Sequence, residues 1–148
     1  MAVATDRLFV DEKDRELYDR LETSDIFEGK TRKEQFLFAL AVGFSRGIKR
    51  PIQKREGFFL AKDMRPDDEA LFSAVAATDA DSVQVLPDRA KVFRIAEEYA
   101  HAGIRILADE IDSTQYGTFE KHLEKQLHDM YDRIGLATEE EESGSTPT

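Results

Sequence analysis

The sequence predicts a mainly α protein: a single helical domain of about five helices around one apolar central helix, with room for a small two-stranded β ribbon. Three observations predict it. Residues 36–44 (FLFALAVGF) carry no polar side chain for nine positions. Apolar residues recur at helical spacing in four further stretches, including Leu17, Tyr18 and Leu21, and Val92 through Leu107. Two short apolar runs, Arg7–Val10 and Gly57–Ala61, have the length of strands and are candidates for the ribbon.

Taken in order, residues 1–5 form a loose end and Arg7–Val10 a strand, with Arg7 and Phe9 facing one way and Leu8 and Val10 the other. Asp11 or Asp14 is placed to cap a helix running to about Thr23, and Ser24–Gly29 is a turn in which Ile26 and Phe27 pack down. The central helix then opens on Thr31 and Glu34, which have the spacing of a capping box. Gly47 stops it, and Pro51 prevents its resumption. A helix apolar on every side must be covered on every side, by this chain or by a second copy.

Gly57–Ala61 is the second strand, a candidate partner for Arg7–Val10. Asp63 or Asp67, with Pro66, opens a helix to about Ala77. Thr78–Ser82 turns and Val83–Leu86 is a short extended link. Pro87 and Asp88 open the longest helix, to about Asp112, in which Gly103 either allows a neighbouring helix to come close or is a tolerated interior glycine. A last helix spans about Thr118–Ile134, so the helical domain covers residues 1–135, and the acidic tail, residues 136–148, is expected to be disordered.

At 148 residues the chain is long enough for one core without staples, and it has no cysteine for disulfides or thiolate metal sites. The start lacks the pattern of a secretory signal, and no apolar run reaches the ~20 residues of a membrane span. A cytoplasmic location is the expectation. The net charge of −10 fits either a salt-adapted cytoplasm or ordinary acidity with a glutamate-rich tail. Either way, the summed field opposes non-specific DNA binding.

One segment runs against that charge. Residues 30–55 hold eight cations and the single acid Glu34, a charge of +7, which leaves −17 for the rest of the chain. Lys30, Arg32 and Lys33 stand at a helix start, where free amides already favour anions. Lys49 and Arg50 stand at the other end of the helix, where cations suit the dipole anyway, and Lys54 and Arg55 stand in the loop beyond. These seven are the candidate phosphate-binding residues. The competing reading is that nearby acids neutralise them. Phe58 and Phe59 adjoin the loop; they could stack on bases, but a core role is preferred. The order strand, helix, helix is also the plan of ribbon–helix–helix DNA binders, which pair the strand with a second copy. The strand's alternation does not offer exposed polar readers, so a strand packed at the domain edge is preferred.

Signatures of enzymes are missing. Neither a complete phosphate loop nor a dinucleotide fingerprint nor a zinc-protease motif is present, and Gly29-Lys30-Thr31 is only the tail of the first. His122 and His128 are six apart, on different helix faces, and His101 has no partner nearby in sequence, so structural histidines are expected. Glu97-Glu98 and Asp109-Glu110 read as solvated charge on the outer face of the long helix. Asp63, Asp67 and Asp68 with Lys62 are the nearest approach to a hydrolase site, and a helix start explains the aspartates. No catalytic residue, metal or cofactor is expected.

The stretches GKTRKEQFLFALAVGFSRGIKRPI, DEALFSAVA and EEYAHAGIRILADEI resemble the small proteins found beside DNA phosphorothioation genes, the DNA sulfur-modification (Dnd) system-associated proteins. The resemblance covers roughly residues 7–112 and leaves the last helix and the tail outside. It implies a role in bacterial or archaeal defence, beside enzymes that place sulfur in the DNA backbone or restrict DNA lacking it, and no particular chemistry. The resulting expectation is a non-enzymatic accessory subunit that binds double-stranded DNA through the basic segment. The alternative is a protein–protein adaptor assembling the system without touching DNA. Partners are other proteins of that system, with a homodimer open.

Overall fold

In a computed structural model, residues 5–24, 27–113 and 123–134 are described. Their elements are β1 (Arg7–Asp11), α1 (Asp14–Glu22), α2 (Arg32–Arg46), β2 (Arg55–Leu60), α3 (Pro66–Ala80), α4 (Arg89–Ser113) and α5 (123–134). The fold is mainly α with one two-stranded antiparallel sheet, as expected. Ile26, residues 118–122 of the last predicted helix and the tail lie outside the described residues.

Local chemistry sets the helix ends. Thr31 accepts the amide of Glu34, whose carboxylate accepts the amide of Thr31, so the capping box of α2 is complete. Gly47 closes α2 in the left-handed region at φ 68°. Pro66 sits in the first turn of α3, and Asp88 accepts the amide of Lys91 at the start of α4. Neither Asp11 nor Asp14 caps α1. Its cap position is Lys13, without a side-chain bond, and Asp14 is already inside the helix and fully buried.

Two other expectations shift. Helix α3 continues past Ala77 to Ala80, because Asp81 takes up the left-handed cap at φ 54°, a conformation that aspartate tolerates. Residues Val83–Val85 form a 3₁₀ turn rather than an extended link, since the Ser82 hydroxyl accepts the Gln84 amide. The second strand also begins earlier than its apolar run. Arg55 and Glu56 pair with Asp11 and Val10, and the register skips Phe58 as a bulge before Phe59 pairs with Leu8. This ribbon is intramolecular, and Leu8 and Val10 face the core while Arg7 is exposed.

Helix α2 is buried along most of its length, at Phe36, Leu37, Ala39, Leu40, Ala41 and Val42. Its main partner is α4, and the cover comes from within the chain. A Cβ on Gly43 would lie 2.0 Å from the carbonyl oxygen of Tyr99, and one on Gly103 would lie 1.7 Å from that of Ala39. The two backbones therefore touch, which only glycine at both positions permits. Rings extend the core outward from this contact: Phe36 packs on Phe59 and Phe72, and Phe72 on Phe93. Helix α4 also contacts α1, α3 and β1, so it is enclosed on several sides.

Candidate functional site

The basic segment is the starting point, and the fold disperses it. Arg32 reaches back to α1, 2.8 Å from Asp19 and 3.7 Å from Glu22. Its guanidinium also covers the Phe58 ring at 5.0 Å, on which Arg15 and Tyr18 pack as well. Lys33 lies 2.8 Å from Asp68 of α3. Lys49 lies 2.8 Å from Asp79, Lys54 3.1 Å from Glu12, and Arg55 3.2 Å from Glu97. Lys30 sits over the Phe38 ring at 5.5 Å.

Six of the seven candidates thus have a partner within the chain. Arg50 differs: its amide donates to the Glu98 carbonyl oxygen, but its side chain has no ion-pair partner among the described residues. The helix-start site is neutralised where it stands. A pocket of about 290 Å³ there is lined by Lys30, Lys33 and Arg65, and equally by Glu34, Asp67 and Asp68. Phe59 is buried and Phe58 is half-buried under its cations, so both rings serve the interior. Of the proposed aspartate–lysine cluster, Asp68 is buried, accepts the Arg65 amide and pairs with Lys33, which makes it a structural group.

The polar residues that matter most to the architecture were not foreseen. Glu97 is 1% exposed, not on an outer face. One carboxylate oxygen accepts the amide of Phe9, and the group faces Arg55, whose guanidinium stacks on the Phe9 ring at 4.4 Å. Burial pushes the Glu97 carboxyl up to about 7, even though the Phe9 amide, Arg55 and Arg94 pull it down. One turn on, His101 is buried with its Nδ1 2.5 Å from Asp14 Oδ2 and its Nε2 3.9 Å from Asp11. One turn further, Arg105 Nε lies 3.4 Å from the other Asp14 oxygen. Asp11 accepts the amides of Lys13 and Gln53. Burial alone would raise its carboxyl, but those bonds and His101 hold it below the ordinary carboxylate range.

Positions 97, 101 and 105 recur every fourth residue, so they form one polar stripe on α4 facing β1 and α1. That periodicity is the signal that would have found them. The stripe clamps the ribbon to the bundle. Among the described residues no group of three or more His, Asp or Glu side chains is arranged to hold a metal ion. His128 is exposed beside Asp132, and His122 lies outside the described residues.

Fold and polar interior define a small helical-bundle protein with an intramolecular ribbon, in which most of the predicted basic patch is turned to internal pairing. The chain belongs to the DNA sulphur modification system-associated protein 4 family, whose model matches residues 7–143. The match runs further than the resemblance drawn from the motifs, taking in α5 and the glutamate-rich stretch. Its name ties the family to a DNA sulphur modification system. No curated protein and no solved structure matches the chain. No helix among the described residues is long and apolar enough to cross a membrane.

Proposed function

We propose that this protein is a non-enzymatic adaptor that brings together proteins of a DNA sulphur modification or restriction system in the cytoplasm, without itself gripping DNA. The observation that carries the reading is the pairing of Arg32, Lys33, Lys49, Lys54 and Arg55 with acids of the same chain. A cation already held by a carboxylate releases no counterion when a phosphate approaches, and counterion release is the main source of non-specific DNA affinity. The net charge of −10 adds a long-range repulsion.

The test is co-purification of the tagged protein with the other proteins of its system, before and after nuclease digestion. An adaptor retains its partners after digestion. The competing reading, a DNA-binding accessory subunit, predicts that the association is lost with the DNA and that the purified protein binds duplex DNA with a steep salt dependence.

A further inference from the structure

Arg50, whose side chain has no ion-pair partner among the described residues, stands beside two other arginines. A cleft of about 470 Å³ lies between α1, the turn after α2, and α4. Arg20, Arg50 and Arg105 line it, against the single acid Asp109. Its apolar lining includes Leu17, Ile48 and Ile106.

Each part of the cleft is held by the fold. Gly47 turns the chain in the left-handed region, the Ile48 amide donates to the Gly43 carbonyl oxygen, and the Arg50 amide donates to that of Glu98. These bonds fix the loop on α2 and α4 and leave Ile48, which lines the cleft, 44% exposed. Arg105 is anchored from beneath by the buried Asp14, yet its side chain stays 38% exposed. Arg20 and Asp109 have interactions of their own within the chain and Arg105 is paired with Asp14, so the attraction rests chiefly on Arg50, with the exposed part of Arg105 beside it.

We propose that this cleft docks an acidic peptide segment of a partner protein, with carboxylates on Arg50 and Arg105 and an aliphatic side chain against Ile48 and Leu17. The proposal rests on the adaptor reading and names its docking surface. Guanidinium groups match carboxylates in planar, bidentate pairs, and the volume falls within the ~300–1,000 Å³ of ordinary binding pockets. A phosphodiester backbone would pair with the arginines equally well, but it has no use for the aliphatic side of the cleft. A long polyanion would also meet the negative field of the whole chain, whereas a short segment feels mainly charges within a Debye length of ~10 Å.

The experiment probes the full-length protein against overlapping synthetic peptides that tile every other protein of its modification system, with fluorescence anisotropy on the peptides bound. The expected result is binding of peptides with two or more acids around an aliphatic residue. Arg50→Glu and, separately, Ile48→Asp should each weaken that binding at least tenfold. Both positions are exposed, and an unchanged circular dichroism spectrum and melting temperature confirm that the variants fold. Replacing by lysine only the peptide acid that faces position 50 should restore binding to the Arg50→Glu protein, a reversal that mere structural damage would not give. Absence of any bound acidic peptide, or binding indifferent to both substitutions, overturns the proposal. So does duplex DNA bound through Arg50. If partners still co-purify with the Arg50→Glu protein after nuclease digestion, the adaptor reading stands and the cleft is not its docking site.

Discussion

His101 Nδ1 lies 2.5 Å from Asp14 Oδ2, and this contact joins the middle of α4 to the first turn of α1. A carboxylate oxygen accepts, so in this contact the histidine donates from Nδ1. Both groups are buried. Removing Asp14 takes the buried histidine's near partner, and removing His101 leaves Asp14 with Arg105 alone, each at a cost of about 3 kcal/mol. His101→Ala and Asp14→Ala are each expected to destabilise by that order. The double variant should cost clearly less than the sum of the two, a coupling of ~1–3 kcal/mol. Urea denaturation of the four proteins checks this, and strict additivity would show that the contact carries nothing.

The crossing of α2 and α4 gives a second expectation. Gly103→Ala places a methyl group 1.7 Å from a backbone oxygen, and Gly43→Ala places one at 2.0 Å. Backbone cannot rotate away as a side chain can, so each should destabilise by about 3 kcal/mol, the upper end for overpacking. Both substitutions push the same two helices apart, and the second should therefore cost less than the first. Calorimetric melting of the single and double variants measures it.

Stability should also depend on pH through Glu97. Its folded carboxyl is raised to about 7 from an ordinary 4.5. Its contribution is therefore fully present below pH 4.5 and is lost as pH rises through 7, by about 3 kcal/mol in all. Asp11 runs the other way: its carboxyl is lowered, so its contribution is present above 3.8 and lost as pH falls through the folded value. Glu97→Gln keeps an acceptor for the Phe9 amide and removes the titration. The parent should lose stability between about pH 4.5 and 7 relative to this variant, and parallel pH profiles for the two proteins would refute the assignment.

Charge reversal separates two kinds of basic residue. Lys33 is 15% exposed and its partner Asp68 7%, so Lys33→Glu opposes two buried carboxylates and should cost about 3 kcal/mol. Lys54 is 73% exposed beside Glu12, so its pairing contributes little and Lys54→Glu should stay within ~1 kcal/mol. Thermal melts of the two variants, read side by side, test whether these cations are structural to the degree that their burial implies.

Much of this fold was legible because it is written locally. Thr31, Glu34, Gly47 and Pro66 act within one turn of themselves, and their roles follow from backbone chemistry alone. Gly103 was legible as a close approach, but its counterpart Gly43 was not, because pairing two glycines needs the crossing of two helices. Glu97 was misplaced for a related reason. An acid next to another acid on a long helix suggests solvent, and that inference holds only for the free face of the helix. Helix α4 exposes Arg94 and Asp109 but is covered elsewhere by α1, α2, α3 and β1, and Glu97 falls on a covered side, where its carboxylate meets Phe9 and Arg55. The dispersal of the basic segment was illegible too. Its partners Asp19, Asp68, Asp79, Glu12 and Glu97 come from three other helices and one loop, and sequence distance conceals them.

The most direct measurement is titration of the purified protein into labelled duplex DNA at low ionic strength, where phosphate binding is strongest, read by anisotropy. If the cations of residues 30–55 other than Arg50 are committed internally, no binding appears even there, and the protein still holds its partners after nuclease treatment. Tight binding that weakens steeply with salt and disappears in the Lys54→Glu protein would contradict the account, since it would show that those cations leave their carboxylates for phosphate.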